Sequence, residues 1–285
     1  MQIIRDLATL RDAVATLRGA GKRIALVPTL GALHAGHIEL VEEGARRADA
    51  VVASIFVNPR QFGAGEDLGR YPRRERADAQ MLEKADCAIL WAPAVETMYP
   101  QGYATNVSVS GVSEVLEGES RPGHFDGVAT VVLKLLNQVG PDVALFGEKD
   151  WQQLAVIRRM ALDLDLPSEI VGIPIVRDDH GLALSSRNAY LAEDEMVAAR
   201  TLPRALGEAA AAIARGEPAA AALAAATARL AEAGFTDIDY VTLRDAATLA
   251  PIDALGDAPA RLLAAARMGP ARLIDNLAVE TKPAE

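Results

Sequence analysis

The sequence predicts an α/β protein: an open, parallel sheet domain over the first two thirds, followed by a smaller α+β domain. Two observations carry this. As far as Val176, short β-branched or apolar runs alternate with longer helical patterns, the arrangement of strands and crossover helices in a parallel sheet. After Val176 the composition shifts, and a turn-forming Arg177-Asp178-Asp179-His180-Gly181 precedes two Ala-rich helical stretches. The expected domains are therefore residues 1–176 and residues 177–285, consistent with a chain of 285 residues that exceeds one average core.

Taken in order, strands are expected at residues 23–28, 50–57, 87–91, 143–146 and 169–176, and helices at 37–48, 73–85, 127–139 and 151–162. Between Gln101 and Gly123 the pattern breaks into Thr, Ser, Val and Gly, which suggests a strand with loops leaving the main sheet. In the second domain, residues 238–243 and 261–267 read as strands. Gly269-Pro270 followed by apolar residues 271–277 suits a hairpin turn. No internal repeat is visible, and the tail Thr281–Glu285 is expected to fray.

Composition narrows the function. With 29 basic and 39 acidic residues the formal charge is −10, which disfavours nucleic acid and anionic lipid as partners. A single cysteine, Cys87, cannot form an intramolecular disulfide and reads as a small buried hydrophobe. Residues 1–14 carry Arg5, Asp6, Arg11 and Asp12 where a signal peptide would be apolar, so a cytoplasmic protein is expected. No stretch reaches the roughly 18 uninterrupted apolar residues of a membrane span.

Five segments carry candidate chemistry. Leu26 to Ile38 runs from a strand through Pro28-Thr29-Leu30-Gly31-Ala32-Leu33-His34-Ala35-Gly36-His37 into a helix. Gly31 and Gly36 permit close backbone approach, the helix start offers unpaired N–H groups, and His34 and His37 project from one side to stabilise charge on a phosphoryl group. In isolation the pair reads equally as one capping and one surface histidine; a zinc pair is disfavoured. In Ser54-Ile55-Phe56-Val57-Asn58-Pro59-Arg60-Gln61-Phe62 a strand stops at Asn-Pro, and the amides of Asn58 and Gln61 would face the crevice at the carboxyl end of the sheet. An ordinary Asn-Pro turn is the alternative.

Phe146-Gly147-Glu148-Lys149-Asp150-Trp151-Gln152-Gln153 again ends an apolar run before a helix: Lys149 can meet a phosphate, Asp150 suits an N-cap and Gln153 can reach back to the crevice. Leu184-Ser185-Ser186-Arg187-Asn188 sets two hydroxyls and a guanidinium in sequence, able to grip phosphate oxygens or simply to cap a helix. Arg121-Pro122-Gly123-His124-Phe125 adds basic groups that could contact a carboxylate or close over the site. His180 reads as a solvated turn residue.

These motifs, in this order and over nearly the whole chain, resemble the pantothenate synthetase (pantoate–β-alanine ligase) family, with the Ala-rich region after Arg200 contributing least. The resemblance implies a Rossmann-like nucleotidyltransferase domain carrying the His-x-Gly-His motif, a C-terminal lid domain and a homodimer. It implies that pantoate attacks the α-phosphorus of Mg2+-ATP to give pantoyl adenylate and pyrophosphate, and that β-alanine then displaces AMP. ATP is thus a substrate, and Mg2+ accompanies it with no protein metal ligand assigned.

Carried over residue by residue, the ATP site would comprise Leu30, Gly31, Ala32, Leu33, His34, Ala35, Gly36, His37, Gly147, Glu148, Lys149, Asp150, Val176, Leu184, Ser185, Ser186 and Arg187. His34, His37, Lys149 and Arg187 would be catalytic, with His37 in the proton-donor role. Gln61 and Gln153 would hold pantoate beside Asn58, and Gln61 would also meet β-alanine. The chain departs from the family pattern at Leu30, where Met is common, at Arg60, where a small or apolar residue is usual, and at Asp126, where a basic residue is frequent. Two other readings are another His-x-Gly-His nucleotidyltransferase acting on a small acid, and a non-catalytic nucleotide sensor, which would bind ATP without forming AMP.

Overall fold

The computed structural model describes residues 1–63 and 65–280; the expectation for Thr281–Glu285 lies outside them. The chain divides into two compact units, Met1–Glu148 with Gln153–Pro174, and Lys149–Gln152 with Ile175–Glu285. The division falls two residues before Val176, and a tetrapeptide beginning at Lys149 groups with the C-terminal unit.

The first unit contains, in order, β1 (Gln2–Ile4), α1 (Leu7–Gly19), β2 (Ile24–Thr29), α2 (Ala35–Arg47), β3 (Ala50–Ile55), α3 (Glu75–Lys84), β4 (Ile89–Trp91), α4 (Val95–Met98), α5 (Glu117–Ser120), α6 (His124–Val139), β5 (Val143–Gly147), α7 (Trp151–Asp163) and β6 (Glu169–Ile173). The first two residues of α7 belong to the tetrapeptide of the second unit. The six strands form one sheet in the order β1-β4-β3-β2-β5-β6, all parallel. β2 is central, and Ile24, Ala25, Leu26 and Val27 are each 0% exposed, because helices on both faces demand an apolar residue at every position.

Strand ends follow from the ladder. The run at 50–57 is strand only to Ile55, the last residue paired with β2, and Pro59 then opens a 3-10 turn. The run at 169–176 stops at Ile173, where its partner β5 ends at Gly147 and Pro174 has no N–H to donate. The strand expected between Gln101 and Gly123 is not formed. There the Val107 N–H donates to the Thr130 hydroxyl at 2.9 Å instead of to a neighbouring strand, and the only regular element is the single turn α5. Helix α1 was legible in principle: Leu7, Leu10, Val14 and Leu17 recur at helical spacing behind Asp6, whose carboxylate accepts the Thr9 N–H at 2.9 Å. Cys87 is buried, and burial pushes its thiol up to about 11, so it is inert packing.

The second unit contains α8 (Glu193–Ala199), α9 (Thr201–Ala214), α10 (Ala219–Glu232), β7 (Thr236–Asp245), β8 (Ala260–Met268) and β9 (Ala271–Val279). The three strands form an antiparallel sheet in sequence order. β8 and β9 make the expected hairpin about Gly269-Pro270, where glycine takes φ +51°. Buried Leu202, Ala205, Leu206, Ala209 and Ile213 on α9, with Ala219, Ala222, Ala226 and Leu230 on α10, form stripes at intervals of three, four or seven residues that share one core with the sheet. His180 is exposed in the turn closed by Gly181.

Candidate functional site

β2 has β3 on one side and β5 on the other, so the direction of winding reverses beside it. The crevice outside the carboxyl ends of β2 and β5 is the switch point at which open α/β sheets bind ligands. The loop Leu30–His34 leaves β2 at this point, and Gly147 and Glu148 leave β5.

The loop after β2 is held from within. Thr29 Oγ1 donates to the Ser54 carbonyl at 2.7 Å and accepts the Gly31 N–H at 3.1 Å. The Asp78 carboxylate, 2% exposed on α3, accepts the N–H groups of Ala32 and Leu33, both at 2.9 Å. Gly31 sits at φ +85°, and a Cβ there would lie 3.1 Å from Ile55 Cγ2 and 3.2 Å from Asp78 Oδ2, so only glycine fits.

At the start of α2 the histidines cap the helix reciprocally. His34 Nδ1 accepts the Gly36 N–H at 3.2 Å, and His37 Nδ1 accepts the His34 N–H at 3.3 Å. Their ring centroids are 4.1 Å apart. This changes the sequence expectation that unpaired N–H groups would meet a phosphate: those of Gly31, Ala32, Leu33, His34, Gly36 and His37 all have partners within the unit. Because each Nδ1 is an acceptor, each neutral ring carries its proton on Nε2. The imidazoles stand at a helix terminus with no acidic residue in its first turn, an end of the helix that favours an anion.

Asn58 and Gln61 lie past the end of β3. Asn58 is 0% exposed, and its Nδ2 donates to Gln61 Oε1 at 3.1 Å and to the Gly127 carbonyl at 3.0 Å. Its amide is thus sealed inside the unit and does not face a crevice as expected. Gly127 on α6 is required here, since a Cβ would lie 2.2 Å from the Arg60 carbonyl oxygen. The Gln61 carbonyl accepts from His124 Nδ1 at 2.7 Å, while Arg121 donates to His124 Nε2 at 3.0 Å. An arginine can only donate, so this tautomer is set. Burial first, then the Arg121 charge, pushes His124 down to about 4. Arg121 also pairs Glu66 at 2.7 and 2.8 Å, an ion pair within the unit.

The two unusual residues Arg60 and Asp126 are joined through a third. Arg60 Nη2 donates to Asn106 Oδ1 at 3.0 Å, and Asn106 Nδ2 donates to Asp126 Oδ2 at 3.1 Å. Arg60 also lies over the rings of Tyr99 and Tyr103, at 5.4 and 5.5 Å.

In the second unit, Val176 and Leu184 are brought together by a 2.9 Å bond from the Leu184 N–H to the Val176 carbonyl, across a turn bridged at Arg177 and Ala183. Ser185 Oγ accepts the Arg187 N–H at 3.2 Å and starts a 3-10 turn through Ser186. The Lys149 carbonyl accepts from Asn276 Nδ2 at 2.9 Å, and Asn276 Oδ1 accepts from Arg261, whose guanidinium stacks 3.4 Å over the Trp151 ring. Asp150 is exposed, and Gln153 belongs with the first unit. Sequence reasoning missed Asp78, Tyr99, Asn106, Arg261 and Asn276. Asp78, one of three acids on its helix with Glu75 and Glu83, gave no local signal that set it apart.

Fold and site together define the class: an α/β enzyme whose His-x-x-His helix start lies at the switch point of a parallel sheet, with a smaller antiparallel unit appended. The model of the pantoate-beta-alanine ligase family matches residues 2–278. Pantothenate synthetase of Rhizorhabdus wittichii is 67% identical over 283 residues, covering 99% of this chain and 100% of that protein. The crystal structure of pantothenate synthetase from Thermus thermophilus superposes with a TM-score of 0.93 at 46% identity, covering 98% of this chain and 99% of that one. That of pantoate-beta-alanine ligase from Francisella tularensis, complexed with beta-gamma ATP and beta-alanine, has a TM-score of 0.83 at 33% identity, with 100% of each chain covered. The chain belongs to the pantoate–β-alanine ligase family and is an enzyme of that family.

Proposed function

We propose that the chain joins pantoate to β-alanine in two displacements, using ATP as substrate. A pantoate carboxylate oxygen attacks the α-phosphorus, and the bond to pyrophosphate breaks. The β-alanine amine then attacks the acyl carbon of pantoyl adenylate, AMP leaves with the bonding electron pair, and the amine proton is lost to give pantothenate. Neither step needs a covalent enzyme intermediate, only charge stabilisation and alignment.

The observation that carries this reading is the His34–His37 pair, which places two Nε2–H donors at a helix start outside the switch point. In it, Leu30 to His37 with Gly147, Glu148, Asp150, Val176 and Leu184 to Ser186 contact ATP, Lys149 and Arg187 supply positive charge to its phosphates, and His37 donates to the developing oxyanion. Gln61 and Gln153 bind pantoate, and Gln61 borders β-alanine. Asn58 acts on pantoate through Gln61, because its own amide is spent on protein groups. The Francisella tularensis relative's complex with an ATP ligand and beta-alanine supports the substrate assignment. Mg2+ would arrive on the triphosphate; among the described residues no three His, Cys, Asp or Glu side chains are grouped to hold a metal. A homodimer in the cytoplasm completes the proposal; among the described residues no helix is long and apolar enough to cross a membrane.

The test is isotope exchange between ATP and pyrophosphate. Pantoate alone should support it, β-alanine alone should not, and all three substrates should yield AMP and pantothenate in equal amounts. Exchange that requires β-alanine would defeat the adenylate order.

A further inference from the structure

The hydrogen bonds behind Gln61 have a fixed direction. The Arg60 N–H can only donate, and it donates to Asn58 Oδ1 at 3.2 Å; the Gly127 carbonyl can only accept, and it accepts from Asn58 Nδ2. These two backbone groups determine which end of the Asn58 amide is oxygen. The second Nδ2 proton then goes to Gln61 Oε1, so the oxygen of Gln61 is used internally and its Nε2 is what remains to meet a ligand. The second lone pair of Asn58 Oδ1 takes the Tyr99 hydroxyl at 2.9 Å, which saturates the amide. Burial pushes Tyr99 up to about 12, so at neutral pH it is a donor.

We propose that Tyr99 is a positioning residue for pantoate, acting through Asn58 to hold Gln61 with its amide nitrogen presented to a substrate oxygen. The proposal rests on the reading that Gln61 binds pantoate. A donor there suits pantoate, whose carboxylate can only accept, whereas an amide flipped to present Oε1 would face that carboxylate with like charge. Tyr99 lies 41 residues from Asn58 in sequence.

Tyr99→Phe removes only the hydroxyl and keeps the ring under Arg60. Pantoate-dependent ATP–pyrophosphate exchange should show the pantoate KM raised about three- to tenfold, the range for one neutral hydrogen bond. The KM for ATP should stay within about twofold and Tm within a degree or two. In a Gln61→Ala background the same Tyr99→Phe change should have no further effect on pantoate, because its route is gone. Additive effects in the double variant, an equal rise in both KM values, or an unchanged pantoate KM would overturn the positioning role. If Gln61→Ala itself leaves the pantoate KM unchanged, the assignment of Gln61 to pantoate fails instead, which separates the two ideas. Should Tyr99→Phe melt far below wild type, the role is structural and the proposal falls.

Discussion

Asp78 accepts the N–H of Leu33 at 2.9 Å from 45 residues away, fastening the loop that precedes the histidine pair to helix α3. Its other oxygen takes the Ala32 N–H at the same distance, so one buried carboxylate satisfies two donors that would otherwise lack partners. Leaving a buried donor unmade costs about 1 to 3 kcal/mol each. Asp78→Ala should therefore lower stability by roughly 2 to 5 kcal/mol and raise the KM for ATP, as read from denaturant midpoints and initial rates. A variant as stable as wild type would show that the loop holds itself.

His37→Ala should slow adenylation by roughly 10² to 10³, the scale for losing one preorganised donor. Its Nδ1 also accepts the His34 N–H, so a stability loss of about 1 kcal/mol should accompany the change. Single-turnover AMP formation and a thermal melt on one preparation separate these effects. Wild-type adenylation speed in a folded variant would remove His37 from the chemistry.

In the second unit, Arg177 makes a bidentate pair with Asp275 at 2.7 and 2.8 Å, and the Asp275 side chain is 1% exposed. Arg177→Ala leaves that carboxylate buried and uncompensated, at a cost of about 3 to 5 kcal/mol. Chemical denaturation should show the loss, and a change below about 1 kcal/mol would mean that water reaches Asp275.

His124 predicts an acid-side dependence of stability. Its ring takes a proton near pH 6.5 in the unfolded chain but only near about 4 in the folded one. Between those values the unfolded state binds more protons, so stability falls as pH drops through the window and is unaffected by this group above it. The loss should be on the order of 3 kcal/mol at pH 4. Denaturant midpoints from pH 7 to pH 4 should fall less steeply in His124→Asn than in wild type. Parallel curves would mean that the buried imidazole is not the titrating group.

Elements whose signal is local were legible. β2, β3 and β5 read as unbroken apolar runs because both faces of a parallel sheet are covered, and α2 and α6 show helical spacing behind recognisable turns. β1 escaped notice because three residues carry no period. The segment between Gln101 and Gly123 misled because β-branched residues favour extension whether or not a strand lies beside them, and here Thr130 takes the Val107 N–H.

By itself the sequence determined the fold class, the family and which residue types surround the chemistry, since these rest on local pattern and on motifs contiguous along the chain. Only the tertiary structure decided how those residues are held: that Asp78 claims the loop's N–H groups, that Asn106 joins Arg60 to Asp126, and that Tyr99 reaches Gln61 through Asn58. The reason is physical. A hydrogen bond depends on distance and direction in space, and partners 20 to 46 residues apart leave no periodic trace in the order of amino acids.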